Sequence, residues 1–213
     1  MTHQCADTID KTRLDSKPES TEVIVMVDKD DNEIGTCTRK EMRQFNKWHR
    51  ATSTIILSNP KDPIIYYQVR DEKKDYCPGY YDLGFGGVVT LGETYLDCAL
   101  RETREESSID FKEEDLIEVA YIARDDEHVR CHYKLYVALY NGPETIDHTK
   151  GDAKCIHTAK LSELDSLMEQ HTFTTACKLL VEAFKKFVDE GGLAKLTLRG
   201  KTEEHLNKAT STI

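Results

Sequence analysis

Short apolar runs separated by polar turns fill the first third of the chain and predict strands. TEVIVMVD (21–28) and EIGTCTR (33–39) flank a polar stretch and predict a hairpin. KEMRQFNKWH (40–49) then predicts a short helix. ATSTIILSN (51–59) and DPIIYYQVR (62–70) predict two further strands, with prolines in the turn between them.

The middle of the chain changes to a helical period. DEKKDYCPGYYDLGFGG (71–87) is rich in Gly, Asp and Tyr and is expected to be a loop. TLGETYLDCALRETREESS (90–108) places Leu96, Ala99, Leu100 and Thr103 on one face of a helix, with Thr94 as its cap.

Strands return before a last helix. LIEVAYIAR (116–124) and HYKLYVALY (132–140) predict two strands, and a polar loop follows to about residue 154. TTACKLLVEAFKKFVDEGG (174–192) predicts an amphipathic helix that stops at a glycine pair. This order favours an α/β fold with helices packed on a mixed sheet.

Length and patterning divide the chain into one domain with extensions. The 213 residues suffice for one sizeable core. Residues 1–20 are expected to form a mobile polar arm, and residues 21–48 the hairpin and short helix. The main domain is expected over 49–190, followed by a weakly structured tail over 191–213.

Charge and cysteine content narrow the range of partners. The formal net charge of −10 opposes binding to nucleic-acid polymers and to anionic membranes. A single nucleotide stays acceptable as a ligand, because a bound cation reverses the local field. The seven cysteines form no CxxC pair, and no apolar run is long enough to span a bilayer, so a cytoplasmic location is expected.

Three glutamates on the predicted central helix are candidates for a metal site. Glu102, Glu105 and Glu106 stand at i, i+3 and i+4, so their carboxylates lie on one side of the helix. Mg²⁺ prefers oxygen ligands and commonly bridges carboxylates and substrate phosphates. The pair Gly86-Gly87 allows the backbone to approach closely.

The spacing of these residues resembles the Nudix box, Gx5Ex7REUxEExGU, in which U is a large aliphatic residue. The matching positions are Gly87, Glu93, Arg101, Glu102, Glu105, Glu106 and Ile109. Two positions depart from the box. Thr103 replaces the aliphatic residue, and Ser108 replaces the second glycine, so Ser108 must end the helix without glycine's freedom at positive φ.

This resemblance implies a Nudix-type α/β/α sandwich around a mixed β-sheet. The preceding hairpin and short helix, with His49-Arg50-Ala51 opening a strand, resemble the branch related to isopentenyl diphosphate isomerase. The implied activity is Mg²⁺-dependent hydrolysis of a diphosphate linkage in a nucleoside diphosphate derivative or a related small molecule, with Mn²⁺ as an alternative metal. Many relatives pair, so a homodimer is a further expectation.

The resemblance also implies roles for individual residues. Glu102, Glu105 and Glu106 are metal ligands, with the Gly86 carbonyl as a backbone ligand and Glu93 in the outer part of the site. Arg101 orients the glutamates. For the general base, Glu105 or Glu106 is preferred over the loop acids Asp147 and Asp152, because Lys154 stands where the alignment expects an acid.

Loop residues are the candidates for substrate contacts. Arg70 is placed to reach a phosphate, and Tyr80 and Tyr81 to stack on a ring of the substrate. Each also has a structural alternative, as an ion-pair partner or as a packing anchor.

Two other functions stay open as alternatives. Isopentenyl diphosphate isomerase-like activity requires a cysteine before Gly-His and a later ExE pair. The chain has Phe85-Gly86-Gly87 and HVRCHYKLYV at these places. Phenylalanine supplies no acid for protonating an alkene. A catalytically silent nucleotide-binding or partner-binding domain is the second alternative, although it would not need clustered carboxylates.

Overall fold

The computed structural model describes residues 21–59, 61–74, 76–142 and 155–196. The predicted arm at 1–20, the loop acids Asp147 and Asp152, Lys154 and most of the predicted tail lie outside these ranges. The strands and helices run in the order β1 Val23–Val27, β2 Glu33–Thr38, α1 Arg39–Gln44, β3 His49–Ser58, β4 Ile64–Val69, β5 Tyr81–Asp82, β6 Gly84–Phe85, α2 Tyr95–Ser107, β7 Leu116–Asp125, β8 Arg130–Leu139, β9 Cys155–Lys160, α3 Leu164–Gln170 and α4 Thr175–Asp189.

The nine strands belong to one mixed sheet. β3 is its centre: it pairs in parallel with β8 and antiparallel with β1, β4 and β6. β7 extends the sheet beyond β8, and β9 pairs with β4. The predicted mixed α/β fold is therefore confirmed.

Alternating residues of the central strands face two different helical layers, as the period of two along a strand requires. On one face, Ile55 and Leu57 of β3 pack with Phe184 of α4 in the largest core cluster. On the other face, Ile56 packs with Tyr66 and Phe85. Helix α2 lies on this second side, where its Ala99 packs against β7 and β8.

The predicted N-terminal hairpin is part of the same sheet. β1 and β2 pair antiparallel, and Met26 of β1 pairs with His49 of β3. Thr38 and Glu41 form a capping box that begins α1, and Met42 anchors the helix in a small core. α1 is therefore held firmly against the domain although it has only six residues.

Some elements differ from the sequence prediction. The loop predicted over 71–87 contains the two short strands β5 and β6. β9 and α3 were not predicted, because their runs are short and rich in polar residues. In the predicted tail, residues 192–196 are helical and Leu196 is buried in the main core.

Within the described ranges, none of the helices has the length and hydropathy that a membrane span requires.

Candidate active site

Helix α2 carries the predicted acids and has well-defined ends. Thr94 caps its N-terminus and forms a capping box with Asp97. Thr103, which takes the aliphatic position, is fully buried. Ser108 ends the helix in the left-handed conformation at φ 60°. The helix thus ends where the Nudix box has glycine, with a serine in the conformation that glycine favours.

The glycine pair runs between β3 and α2 with no room for a side chain. A Cβ on Gly86 would overlap the carbonyl oxygen of Thr52, and a Cβ on Gly87 would overlap the carboxylate of Glu102. The Gly87 carbonyl accepts a hydrogen bond from the Thr52 amide at 2.9 Å. Gly86 is therefore required by its close approach to the backbone of β3, whereas Gly87 lies against the Glu102 side chain of α2.

Arg101 organises three acids around its guanidinium group. Its Nε and Nη2 donate to the two carboxylate oxygens of Glu93, at 2.6 and 3.0 Å. Its Nη1 donates to Glu102 at 2.8 Å and to Glu105 at 3.1 Å. Arg101 can therefore orient Glu102 and Glu105, while Glu93 binds the opposite edge of its guanidinium group.

Glu106 points inward and is held by neutral donors. Its Oε2 accepts from Gln68 Nε2 at 2.8 Å and from the Gly86 amide at 3.0 Å. Burial raises the pKa of Glu106, and the neighbouring Glu102 carboxylate raises it further. Burial also raises the pKa of Glu102, although Arg101 and Arg39 lower it. The buried Glu106 and the partly buried Glu102 thus lie close enough to repel each other.

The donor set fits a hard divalent cation. The side chains concerned offer carboxylate oxygens, and a cation would offset the repulsion between Glu102 and Glu106. In the arrangement described for residues 21–59, 61–74, 76–142 and 155–196, no three His, Cys, Asp or Glu side chains converge on a single point. Glu105 is the outlying acid, because its side chain is 47% exposed and turned to Arg101.

A cavity of about 590 Å³, counting the part open to solvent, adjoins the glycine pair. Its walls come from α1, β3, the end of β4, the glycine loop and α4. The polar lining is dominated by arginines, and the charged or titratable lining residues are Arg39, Arg43, His49, Arg70, Tyr76, Asp82, Tyr133 and Cys177. The cavity therefore suits an anionic ligand.

Arg70, which was predicted to contact substrate, lines this cavity. Its Nε donates to the Tyr76 carbonyl at 3.0 Å, and its Nη1 lies 3.8 Å from Asp82 Oδ2. Asp82 also accepts from Thr174 Oγ1 at 3.3 Å. Burial raises the pKa of Asp82, and Arg70 opposes that rise.

Tyr80 and Tyr81 do not line the cavity. Tyr80 packs on a small core cluster with Tyr76 and Cys77. The Tyr81 ring stacks on His171 at 4.2 Å on the side of the sheet covered by α3 and α4. The structure therefore places both rings as packing anchors and does not bring them to the acids.

Several cavity residues were missed at the sequence level. Arg39 and Arg43 stand at i and i+4 of α1, and this spacing was the available signal that they share a face. Nothing in the sequence indicated that Asp82 lines the cavity, because an acidic residue is common in a glycine-rich loop.

Comparison with known proteins places this geometry in a family. The family model of the NUDIX domain matches residues 47–178. The chain belongs to the Nudix family. An uncharacterized Nudix hydrolase, orf19, of Rhodococcus erythropolis is 34% identical over 130 residues, which cover 57% of this chain and 69% of that protein. The chain described here is accordingly a Nudix hydrolase.

Two solved structures show the same fold. A crystal structure of DR0079 from Deinococcus radiodurans aligns with a TM-score of 0.62 at 18% identity, covering 76% of this chain and 99% of that one. A bifunctional NMN adenylyltransferase/ADP ribose pyrophosphatase from Francisella tularensis, complexed with AMP and a Mn ion, aligns with a TM-score of 0.51. The identity is 16%, over 67% of this chain and 41% of that one.

Proposed function

We propose that this Nudix hydrolase cleaves a diphosphate linkage in a nucleoside diphosphate derivative or a related small diphosphate, with Mg²⁺ as its metal. One observation carries the proposal. The buried Glu106 and the partly buried Glu102 repel each other beside the glycine pair, which also lines an arginine-rich cavity. A cation between acids and phosphates would balance both sets of charges.

The residues that would hold the metal are Glu102, Glu105 and Glu106, with the Gly86 carbonyl as a backbone ligand. Glu93 would belong to the outer part of the site, because Arg101 already bonds both of its oxygens. When bound, the ion would lower the pKa of a water and stabilise the developing charge on phosphate oxygen. Mn²⁺ is the proposed alternative, and the Mn ion in the Francisella neighbour supports it.

The chain's own residues would position the reactants. Arg101 would fix the rotamers of Glu102 and Glu105 through charge-assisted hydrogen bonds. Arg70 would bind a phosphate from the cavity side. Proton removal from the attacking water would be done by Glu105 or Glu106. The loop acids Asp147 and Asp152 lie outside the described residues.

A nucleoside diphosphate derivative is supported by the Francisella neighbour, whose name includes ADP ribose pyrophosphatase. The relation to the isopentenyl diphosphate isomerase branch stays a proposal that rests on the N-terminal hairpin and His49-Arg50-Ala51. Isomerase chemistry itself gains no support, because Phe85 is fully buried in a core cluster and supplies no acid. The cytoplasmic location and the homodimer stay predictions from the sequence.

A substrate panel tests the proposal. Nucleotide sugars, dinucleotides, nucleoside triphosphates and non-nucleoside diphosphates would be incubated with enzyme and Mg²⁺, with Mn²⁺ or EDTA in parallel, and phosphate-containing products would be measured. We expect hydrolysis of at least one class, loss of activity in EDTA, and a loss of about 100-fold or more in Glu105→Gln. Glu182→Gln, an exposed glutamate of α4, is the control. No hydrolysis of any class, or equal activity in Glu105→Gln, would favour a silent binding domain.

A further inference from the structure

Two cavity arginines lie close to one aromatic ring. The Cζ atom of Arg43, on α1, lies 5.0 Å from the centroid of the Tyr76 ring, and the Cζ atom of Arg70, at the end of β4, lies 5.7 Å from it. Both arginines and Tyr76 line the cavity. Tyr76 is only 7% exposed, so its ring is a fixed support for both guanidinium groups.

The charge around this ring favours an anion. Arg43 and Arg70 place two positive charges on the wall of the cavity. His49, which also lines the cavity, adds no positive charge at neutral pH, because burial and Arg43 lower its pKa to about 3. Asp82 balances part of the charge through Arg70. A phosphate group would complement the two guanidinium groups with bidentate hydrogen bonds.

Arg43 reaches the cavity from outside the NUDIX domain match, which begins at residue 47. Its helix is nevertheless fixed, since Met42 is buried in the core under α1 and Thr38 caps the helix. Arg43 therefore lines, from a rigid helix, the same cavity that Arg70 lines.

We propose that Arg43 and Arg70, supported by the Tyr76 ring, form an arginine clamp that binds a phosphate group of the substrate, so that α1 contributes to substrate binding. The proposal rests on the proposed hydrolysis, because it takes the substrate to be a diphosphate. The clamp binds from the cavity, which the glycine pair also lines.

Binding of methylenediphosphonate, a non-hydrolysable diphosphate, tests the clamp by titration calorimetry in the presence of Mg²⁺. We expect Arg43→Gln to weaken binding about 10-fold to 100-fold, as loss of a charge-assisted pair of hydrogen bonds implies. Arg43→Lys keeps the charge but loses the bidentate geometry, so it should fall between Arg43→Gln and the unsubstituted protein. The control is Lys40→Gln, which removes the same charge from the same helix at a residue that does not line the cavity, and it should bind within about 2-fold of the unsubstituted protein.

Kinetics separate the role of Arg43 in binding from a general structural effect. With a substrate from the panel, Arg43→Gln should raise KM about 10-fold or more and leave kcat within about 3-fold, because the clamp binds ground state and transition state alike. Thermal unfolding of each variant checks the fold, and Arg43→Lys carries the test if Arg43→Gln is unfolded.

The clamp and the proposed function fail in different ways. If the enzyme hydrolyses a diphosphate but Arg43→Gln matches Lys40→Gln in both binding and KM, the clamp is refuted alone. If the panel shows no hydrolysis while methylenediphosphonate binding depends on Arg43, the proposed hydrolysis is refuted and the clamp stands.

Discussion

Arg101 of α2 and Glu93, which lies just before this helix, form a bidentate ion pair. Arg101 Nε lies 2.6 Å from Glu93 Oε1, and Nη2 lies 3.0 Å from Oε2. The remaining Nη1 is thereby directed at Glu102 and Glu105. Glu93 thus fixes the arginine, and the arginine fixes the two acids.

Replacing Arg101 by lysine tests this arrangement. A lysine keeps the charge but cannot bond both oxygens of Glu93 while also reaching Glu102. We expect Arg101→Lys to lower kcat about 10-fold to 100-fold, the usual effect of losing a residue that orients metal ligands. Steady-state kinetics across a range of Mg²⁺ concentrations measures it. Arg104→Lys, at an exposed position of the same helix, should stay within about 2-fold, and equal losses in the two variants would contradict the orienting role.

The capped helix that carries these acids could be predicted because its information is local. The spacing along α2 fixes which side chains share a side, and the capping pair Thr94 and Asp97 sits within the same segment. The arginines of the cavity were harder to predict. Arg43 contacts Tyr76 because β1 of the hairpin pairs with the start of β3. The residues next to Arg43 or next to Tyr76 in the sequence do not predict that pairing.

The same limit applies to Tyr80 and Tyr81, which were expected from the sequence to stack on a ring of the substrate. Tyr80 and Tyr81 stand in a glycine-rich stretch that looks exposed in sequence. β5 pairs with β4, so Tyr81 is directed to the core face of the sheet, where it meets His171 of a segment 90 residues away along the chain. The short pairing of β5 with β4 decides which side of the sheet Tyr81 faces, and a strand of two residues is too short to show an alternating pattern in the sequence.

The two glycines should respond differently to alanine. In Gly86→Ala the new Cβ meets the backbone carbonyl of Thr52 in β3, which has no freedom to move, so we expect a loss of about 3 kcal/mol in the free energy of unfolding. In Gly87→Ala it meets the carboxylate of Glu102, a flexible group that can rotate away. We expect that variant to lose less than about 1 kcal/mol in the free energy of unfolding but at least about 10-fold in kcat, because Glu102, the proposed metal ligand, is displaced.

Urea unfolding and steady-state kinetics on both alanine variants measure this contrast. A Gly87→Ala enzyme with full activity would contradict the placement of Glu102 in the site. A Gly86→Ala protein as stable as the unsubstituted one would contradict the close passage beside β3.

Ser108 should be replaceable by glycine with a gain in stability. Its φ of 60° is a conformation that a residue with a Cβ adopts at a cost and glycine adopts freely. We expect Ser108→Gly to raise the free energy of unfolding by about 1 kcal/mol with kcat unchanged. Ser166→Gly, inside α3, should have the opposite sign, since glycine weakens a helix interior. Destabilisation by Ser108→Gly would contradict the left-handed helix end.

His49 should make the protein sensitive to mild acid. Burial and the nearby Arg43 lower its pKa from 6.5 to about 3, so below pH 6.5 the unfolded chain binds a proton that the folded protein refuses. Stability contributed by neutral His49 is therefore complete above pH 6.5 and is lost as the pH falls toward 3, by about 1.4 kcal/mol per pH unit.

The variant His49→Asn tests this pH dependence, because asparagine retains an N–H for the Lys47 carbonyl but does not titrate. Between pH 6.5 and 5, the unsubstituted protein should lose about 2 kcal/mol more in its free energy of unfolding, measured with urea, than His49→Asn does. Parallel curves for His49→Asn and the unsubstituted protein would show that His49 is protonated in the folded state and would contradict its burial beside Arg43.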